Sequence, residues 1–208
     1  MTASELLFVP ETHEYRTPDG VSVPSVTQIL RGVGVSADFK AVAPGTLEYR
    51  RQLGTAVHAD CHAYDDNDLD WATVDVRVKP YVEAWCQFRE AKALRAIHRE
   101  RRVFHAIRYY CGTLDGIFET PDGQRVLIDI KTGNPDDAAA HLQTAAYQAA
   151  YSLEHPGERI TARWSVQLQP ELRVPYRIHE YRDFHDFRKF AACVCVFQEH
   201  PARRRRIQ

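Results

Sequence analysis

The sequence predicts a mixed α/β fold, with a central sheet flanked by helices and a small hairpin at the N-terminus. Three observations carry this. Between the N-terminal hairpin and Arg99, helical spacing of apolar residues dominates. From Arg99 onward the period changes to that of strands. One short run, Val126-Leu127-Ile128-Asp129-Ile130-Lys131, is apolar almost throughout, as a buried central strand should be.

The elements follow in order. Leu6 to Val23 alternates loosely around the Pro18-Asp19-Gly20 turn and reads as a hairpin. In Pro24-Ser25-Val26-Thr27-Gln28-Ile29-Leu30, Ser25 and Gln28 form a capping box, so a short helix starts there. Gly32 and Gly34 end it. Residues 35–46 read as a loop. A helix is expected over about Leu47–Tyr64, broken by the acidic run Asp65–Asp70. A second follows Pro80, with Tyr81, Trp85 and Phe88 as a core-facing stripe. Strands are expected at Glu100–Arg108, Thr113–Thr120 and Arg125–Lys131, the last two joined by the turn Pro121-Asp122-Gly123. A helix over about Asp136–Leu153 carries two acids in its first turn, where the helix dipole favours them. Strands at Thr161–Leu168 and Val174–Tyr181 and a helix at Asp183–Glu199 complete the chain, before the basic tail Arg203–Arg206.

At 208 residues the chain is read as one domain: residues 1–46 as hairpin and short helix, 47–200 as core, 201–208 as tail. A chain of this length buries roughly 70% of its unfolded surface and needs no disulfide or metal merely to fold. No window approaches about 18 consecutive apolar residues, which argues against a membrane span. The N-terminus lacks a basic start followed by an apolar core, so no secretory signal is expected. Cys61, Cys86, Cys111, Cys193 and Cys195 are odd in number and show no framework spacing, as expected of reduced thiols in a cytoplasm. No CxxC is present, and no iron–sulfur cluster is expected. The net charge is -1, yet 22 of the 27 basic residues are Arg. Arg suits bidentate phosphate contacts, although a GC-rich genome produces the same bias.

Chemistry concentrates around Asp115 and Asp129-Ile130-Lys131. Asp129 and Lys131, two apart on a strand, share one face. If the neighbouring strand pairs with theirs, Asp115 converges on Asp129. Two carboxylates and the Ile130 carbonyl make a hard oxygen site suited to Mg²⁺ or Mn²⁺. Such an ion acidifies water and offsets charge on a phosphate, and Lys131 supplies a compact cation beside it. Taken alone, the same residues suit an exposed strand end with a salt bridge.

Further motifs extend the pattern. Gly112-Thr113-Leu114-Asp115 precedes Asp129-Ile130-Lys131-Thr132-Gly133. Gly54-x-x-x-His58 lies on the preceding helix, Glu100 before the Asp115 strand, and Gln143-x-x-x-Tyr147 on the following helix. His13-x-Tyr15 and Val23-Pro24-Ser25-Val26-Thr27 precede them all. In this order the motifs resemble the PD-(D/E)XK nuclease superfamily, in particular its RecB- and Cas4-like, phage-type exonuclease branch. The resemblance covers about residues 13–151.

It implies a restriction-endonuclease-like α/β/α core and a Mg²⁺- or Mn²⁺-dependent deoxyribonuclease, with exonuclease action favoured over endonuclease action. His58, Asp115, Asp129 and the Ile130 carbonyl would bind metal, Lys131 would be the catalytic lysine, and Glu100 a supporting or second-metal carboxylate. Gln143, Tyr147 and Thr132 would support the site or touch the substrate. Gln143, Tyr147 and Tyr151 share a helix face, Tyr151 as core. Asp129 departs from the commoner glutamate. DNA is the implied partner, with a recombination or single-strand-binding protein as a second, and the oligomeric state is left open. No GxxxxGK[ST] motor motif is present.

Two other signals compete. His58 and His62 flank Cys61 at a spacing that can begin a zinc site. Arg95, Arg99, Arg101, Arg102 and Arg108 suit either a phosphate-binding groove or a solvated face. A non-catalytic DNA-binding adaptor is the rival from another class, and the clustered acids argue against it.

Overall fold

The computed structural model describes residues 2–9, 12, 14–36, 44–133 and 139–199. Its centre is a sheet of five strands: β4 (Arg95–His105), β5 (Tyr110–Glu119), β6 (Arg125–Lys131), β7 (Ala162–Leu168) and β8 (Tyr176–Glu180), in that spatial order. All neighbours are antiparallel except β6 and β7, which run parallel. A parallel pair needs a crossover, and helix α4 (Ala140–Glu154) lies within it.

Helices cover both faces. Alternation along β6 sends Leu127 to one side and Ile128 and Ile130 to the other. The Leu127 side packs on α1 (Val26–Gly32), α4 and α5 (Asp186–Glu199) through Ile29, Leu30, Tyr151 and Phe190. The Ile128 side packs on α2 (Pro44–Asp65) and α3 (Lys79–Ala91) through Val57, Val82, Trp85 and Phe88. The aromatic stripe of α3 is core, with Trp85 and Phe88 both at 0% exposure.

The capping box of α1 forms both of its bonds: Gln28 N donates to Ser25 Oγ and Ser25 N to Gln28 Oε1, each at 3.1 Å. The expected N-terminal hairpin is present as β2 (Glu14–Arg16) and β3 (Ser22–Val23), and β1 (Leu7–Val9) adds a third strand to it. Leu7–Val9 pairs antiparallel with β2, on the side away from β3. This sheet is tied to β5: Cys111 N donates to Pro24 O at 3.0 Å, and the Tyr15 and Thr113 hydroxyls lie 2.8 Å apart.

Strand β4 begins at Arg95, five residues before the expected start. A register shift at Ala96/His98 and a left-handed φ of 43° at Glu100 break the alternation that would have shown it. Helix α5 starts at Asp186 rather than Asp183, because the Asp183 carboxylate accepts the N–H of His185 in the turn before it. The described part of α4 starts at Ala140. The acids expected in its first turn lie outside the described residues, as do His13, most of the 35–46 loop and the basic tail. No described helix is long and apolar enough to cross a membrane.

Candidate active site

The site forms where β5 and β6 part. Their ladder ends at Gly116↔Ile128. One step further the register would set Asp115 opposite Asp129. There the Asp115 carboxylate takes the place of a backbone acceptor: Ile130 N donates to Asp115 Oδ2 at 2.7 Å. The other oxygen of Asp115 lies 3.4 Å from His58 Nδ1 on α2.

Asp129 is buried at 3% exposure and is held on both oxygens. Lys131 Nζ sits 3.0 Å from Oδ1, and Ser165 Oγ donates to Oδ2 at 2.7 Å. Lys131 Nζ also reaches Gln143 Oε1 at 3.4 Å, and Gln143 Nε2 donates to Tyr147 OH at 3.2 Å. Gln143 and Tyr147 meet on one face of α4, as their spacing requires. The Tyr147 ring packs over β5 at Gly112, where an added Cβ would lie 2.6 Å from Cε1 of the ring. Tyr151, one turn on, is fully buried and donates its hydroxyl to Glu158 at 2.6 Å.

These charges set one another. Burial pushes the Asp115 carboxyl up, but His58, Lys131 and the Ile130 N–H outweigh it and hold the pKa down to about 2. Burial also dominates at Asp129, and with the Asp115 charge it raises that pKa despite Lys131. Lys131 resists burial through Asp129 and Asp115, and its pKa rises. For His58, burial opposes the imidazolium, yet Asp115 prevails and the pKa rises.

The model of the PD-(D/E)XK nuclease superfamily matches residues 34–195. This chain belongs to that superfamily. No curated protein matches it. Among solved structures, the chain is similar to "Putative exonuclease" from Eubacterium rectale, with a TM-score of 0.50 at 11% identity. The match covers 76% of this chain and 66% of that one, so the chain spans just under two thirds of its neighbour's length. At that identity the likeness concerns the fold, the restriction-endonuclease-like α/β/α core.

Nucleases of the superfamily generally use divalent metal ions. Among the described residues, no three His, Cys, Asp or Glu side chains are gathered in an arrangement ready to hold a metal. The donor chemistry nevertheless fits a hard cation. Two carboxylates converge in a buried setting, and burial together with the Asp115 charge disfavours the charged form of Asp129, a cost that a cation would relieve.

The remaining expected residues fall around this superfamily core. Thr132 follows β6 beside α2, its Oγ1 3.5 Å from where a Cβ on Gly54 would stand. Glu100 lies on β4 with its side chain largely exposed, and Oε1 is 3.1 Å from His62 Nδ1 without hydrogen-bond alignment. His58 and His62 thus face different carboxylates, and Cys61 is buried in the apolar cluster under α2. The three do not gather as a zinc site. The five arginines do not form one groove either. Arg101 reaches His155, and Arg102 donates to Leu6 O, while Arg95 and Arg99 line a cleft beside α2. Ser165 was not legible from sequence: its partner Asp129 lies 36 residues away, joined only by the parallel register Asp129↔Ser165.

Proposed function

We propose that this nuclease is a Mg²⁺- or Mn²⁺-dependent deoxyribonuclease, an exonuclease of the RecB- and Cas4-like, phage-type branch. One observation carries the reading: Asp115, Asp129 and Lys131 meet at the parted end of β5 and β6, with Lys131 held between Asp129 and Gln143.

Asp115, Asp129, the Ile130 carbonyl and His58 are the residues that would hold the ion. When bound, such an ion supplies Lewis acidity toward phosphate and water. Lys131 presents an ammonium to a phosphodiester at that edge. There it orients an attacking water and offsets charge as the phosphorus–oxygen bond to the leaving group breaks. Gln143 aims Lys131, Tyr147 aims Gln143, and Ser165 fixes Asp129. Glu100 is a supporting carboxylate, and Thr132 lines the approach. The substrate is DNA, and the setting is phage or prophage recombination or repair in a bacterial cytoplasm, with a recombination or single-strand-binding protein as a further partner. The exonuclease preference rests on the likeness of the His58 and Gln143/Tyr147 motifs to end-processing members. Digestion of end-labelled linear DNA beside a closed circle tests it, since an endonuclease of the same fold would also cut the circle.

A further inference from the structure

Helix α2 carries a line of polar contacts that leads away from the carboxylates. His58 meets Asp115, one turn on His62 meets Glu100, and just past the last residue of the helix Asp66 pairs with Arg99. The line ends in an open cleft of about 520 Å³, lined by Asp65, Asp66, Asn67, Arg89, Arg95 and Arg99 among others. The backbone of β4 is shaped for this. In a regular strand consecutive side chains leave opposite faces. At Glu100 the left-handed φ of 43°, uncommon outside glycine, lets Glu100 reach α2 and Arg99 the residue just past its end.

We propose that this cleft binds a backbone phosphate of the nucleic-acid substrate a few nucleotides from the cleaved bond, with Arg99 as its main ligand and Arg95 beside it. The proposal rests on the nuclease reading for its substrate class. Of the three guanidinium groups, Arg89 is committed: it pairs with the fully buried Asp65 carboxylate, donates to Leu94 O at 2.9 Å and stacks 4.4 Å from the Phe118 ring centroid. Arg99 and Asp66 instead pair at the surface, with side chains 29% and 47% exposed. Surface pairs of this kind hold weakly. A guanidinium can leave one carboxylate for a phosphate that it contacts with both prongs. Arg95 is freer still at 67% exposure, its ion pairing among the described residues being with Glu119 at the end of β5. From His58 to Asp66, one residue past the end of α2 and still bonded to His62 O, the chain advances about 12 Å at helical rise. At about 3.4 Å per nucleotide along a strand, that is roughly three to four nucleotides.

The test measures binding of a fluorescein-labelled 20-mer DNA to metal-free protein by anisotropy, across a salt series. Arg99→Ala is expected to weaken binding about tenfold and to reduce the salt slope by about one. Arg99→Lys keeps the charge and is expected to keep most of the slope. Asp66→Asn frees Arg99 and is expected to tighten binding, a gain largely lost in the Arg99→Ala background. Unchanged affinity and slope in a folded Arg99→Ala protein, checked by its melting temperature, would overturn the proposal. So would equal tightening by Asp66→Asn with and without Arg99. Wild-type protein that binds with this pattern but cleaves no DNA with Mg²⁺ or Mn²⁺ would instead sink the nuclease reading and leave the phosphate site standing.

Discussion

Asp115 on β5 accepts the N–H of Ile130 on β6 at 2.7 Å, at the step where the two strands stop pairing. The carboxylate therefore does two jobs. It closes a backbone donor that the parted ladder leaves open, and it turns its other oxygen toward His58. Asp115→Asn keeps the size and removes the charge. Losing a group that merely supports a metal ligand already costs about 10–100-fold. The expected loss of DNA cleavage is thus about 100-fold or more, read by single-turnover kinetics.

Lys131 pairs with Asp129 at 3.0 Å. Lys131→Ala is expected to cut the cleavage rate by on the order of 10²–10³, the usual scale for a group aimed at developing charge. DNA affinity should stay within a few-fold. Gln143→Ala, which only loosens the lysine, should cost about 10-fold. If Gln143→Ala proved as damaging as Lys131→Ala, Gln143 would have to touch the substrate itself.

Acid stability should report the same carboxylates, and the sign follows from their shifts. Asp115 is held at about 2, below its ordinary 3.8. It therefore contributes stability above about pH 4 that is lost as the pH falls toward 2. Asp129 is shifted the other way, so its contribution is present at low pH and is lost as the pH rises through its raised folded-state value. Melting curves in chelator from pH 2 to pH 7 should show a shallower acid limb for Asp115→Asn than for wild type. Mg²⁺ or Mn²⁺ at neutral pH should raise the wild-type melting temperature and should raise that of Asp115→Asn much less.

Gly112 is where the Tyr147 ring crosses β5. A methyl group there meets the ring at 2.6 Å, so Gly112→Ala should destabilise by about 1–3 kcal/mol. Tyr147→Phe removes only the hydroxyl that accepts from Gln143 and should cost about 1 kcal/mol. Urea unfolding separates the two.

How far the sequence revealed this arrangement depended on how local each signal was. The strand Arg125–Lys131 was legible to the residue because an apolar run ends in two polar side chains that a buried strand does not otherwise tolerate. The α1 cap was legible because both of its bonds span three residues. The start of β4 was hidden by its polar composition, its register shift and the turned backbone at Glu100. Ser165 was hidden for a different reason. Nothing local distinguishes a serine in Trp164-Ser165-Val166, and only the parallel register brings it to Asp129. The splitting of the β4 arginines between the residues that follow α2 and α4 and the N-terminal segment was likewise a tertiary outcome.

The most direct test is cleavage of end-labelled linear and closed-circular DNA, single- and double-stranded, by purified protein with Mg²⁺ or Mn²⁺. Asp129→Ala and Lys131→Ala serve as controls. The expected result is degradation of linear DNA alone, abolished by chelator and by either substitution. Cleavage that survives Asp129→Ala and Lys131→Ala would contradict the account, because the reaction would then be carried by residues elsewhere in the chain.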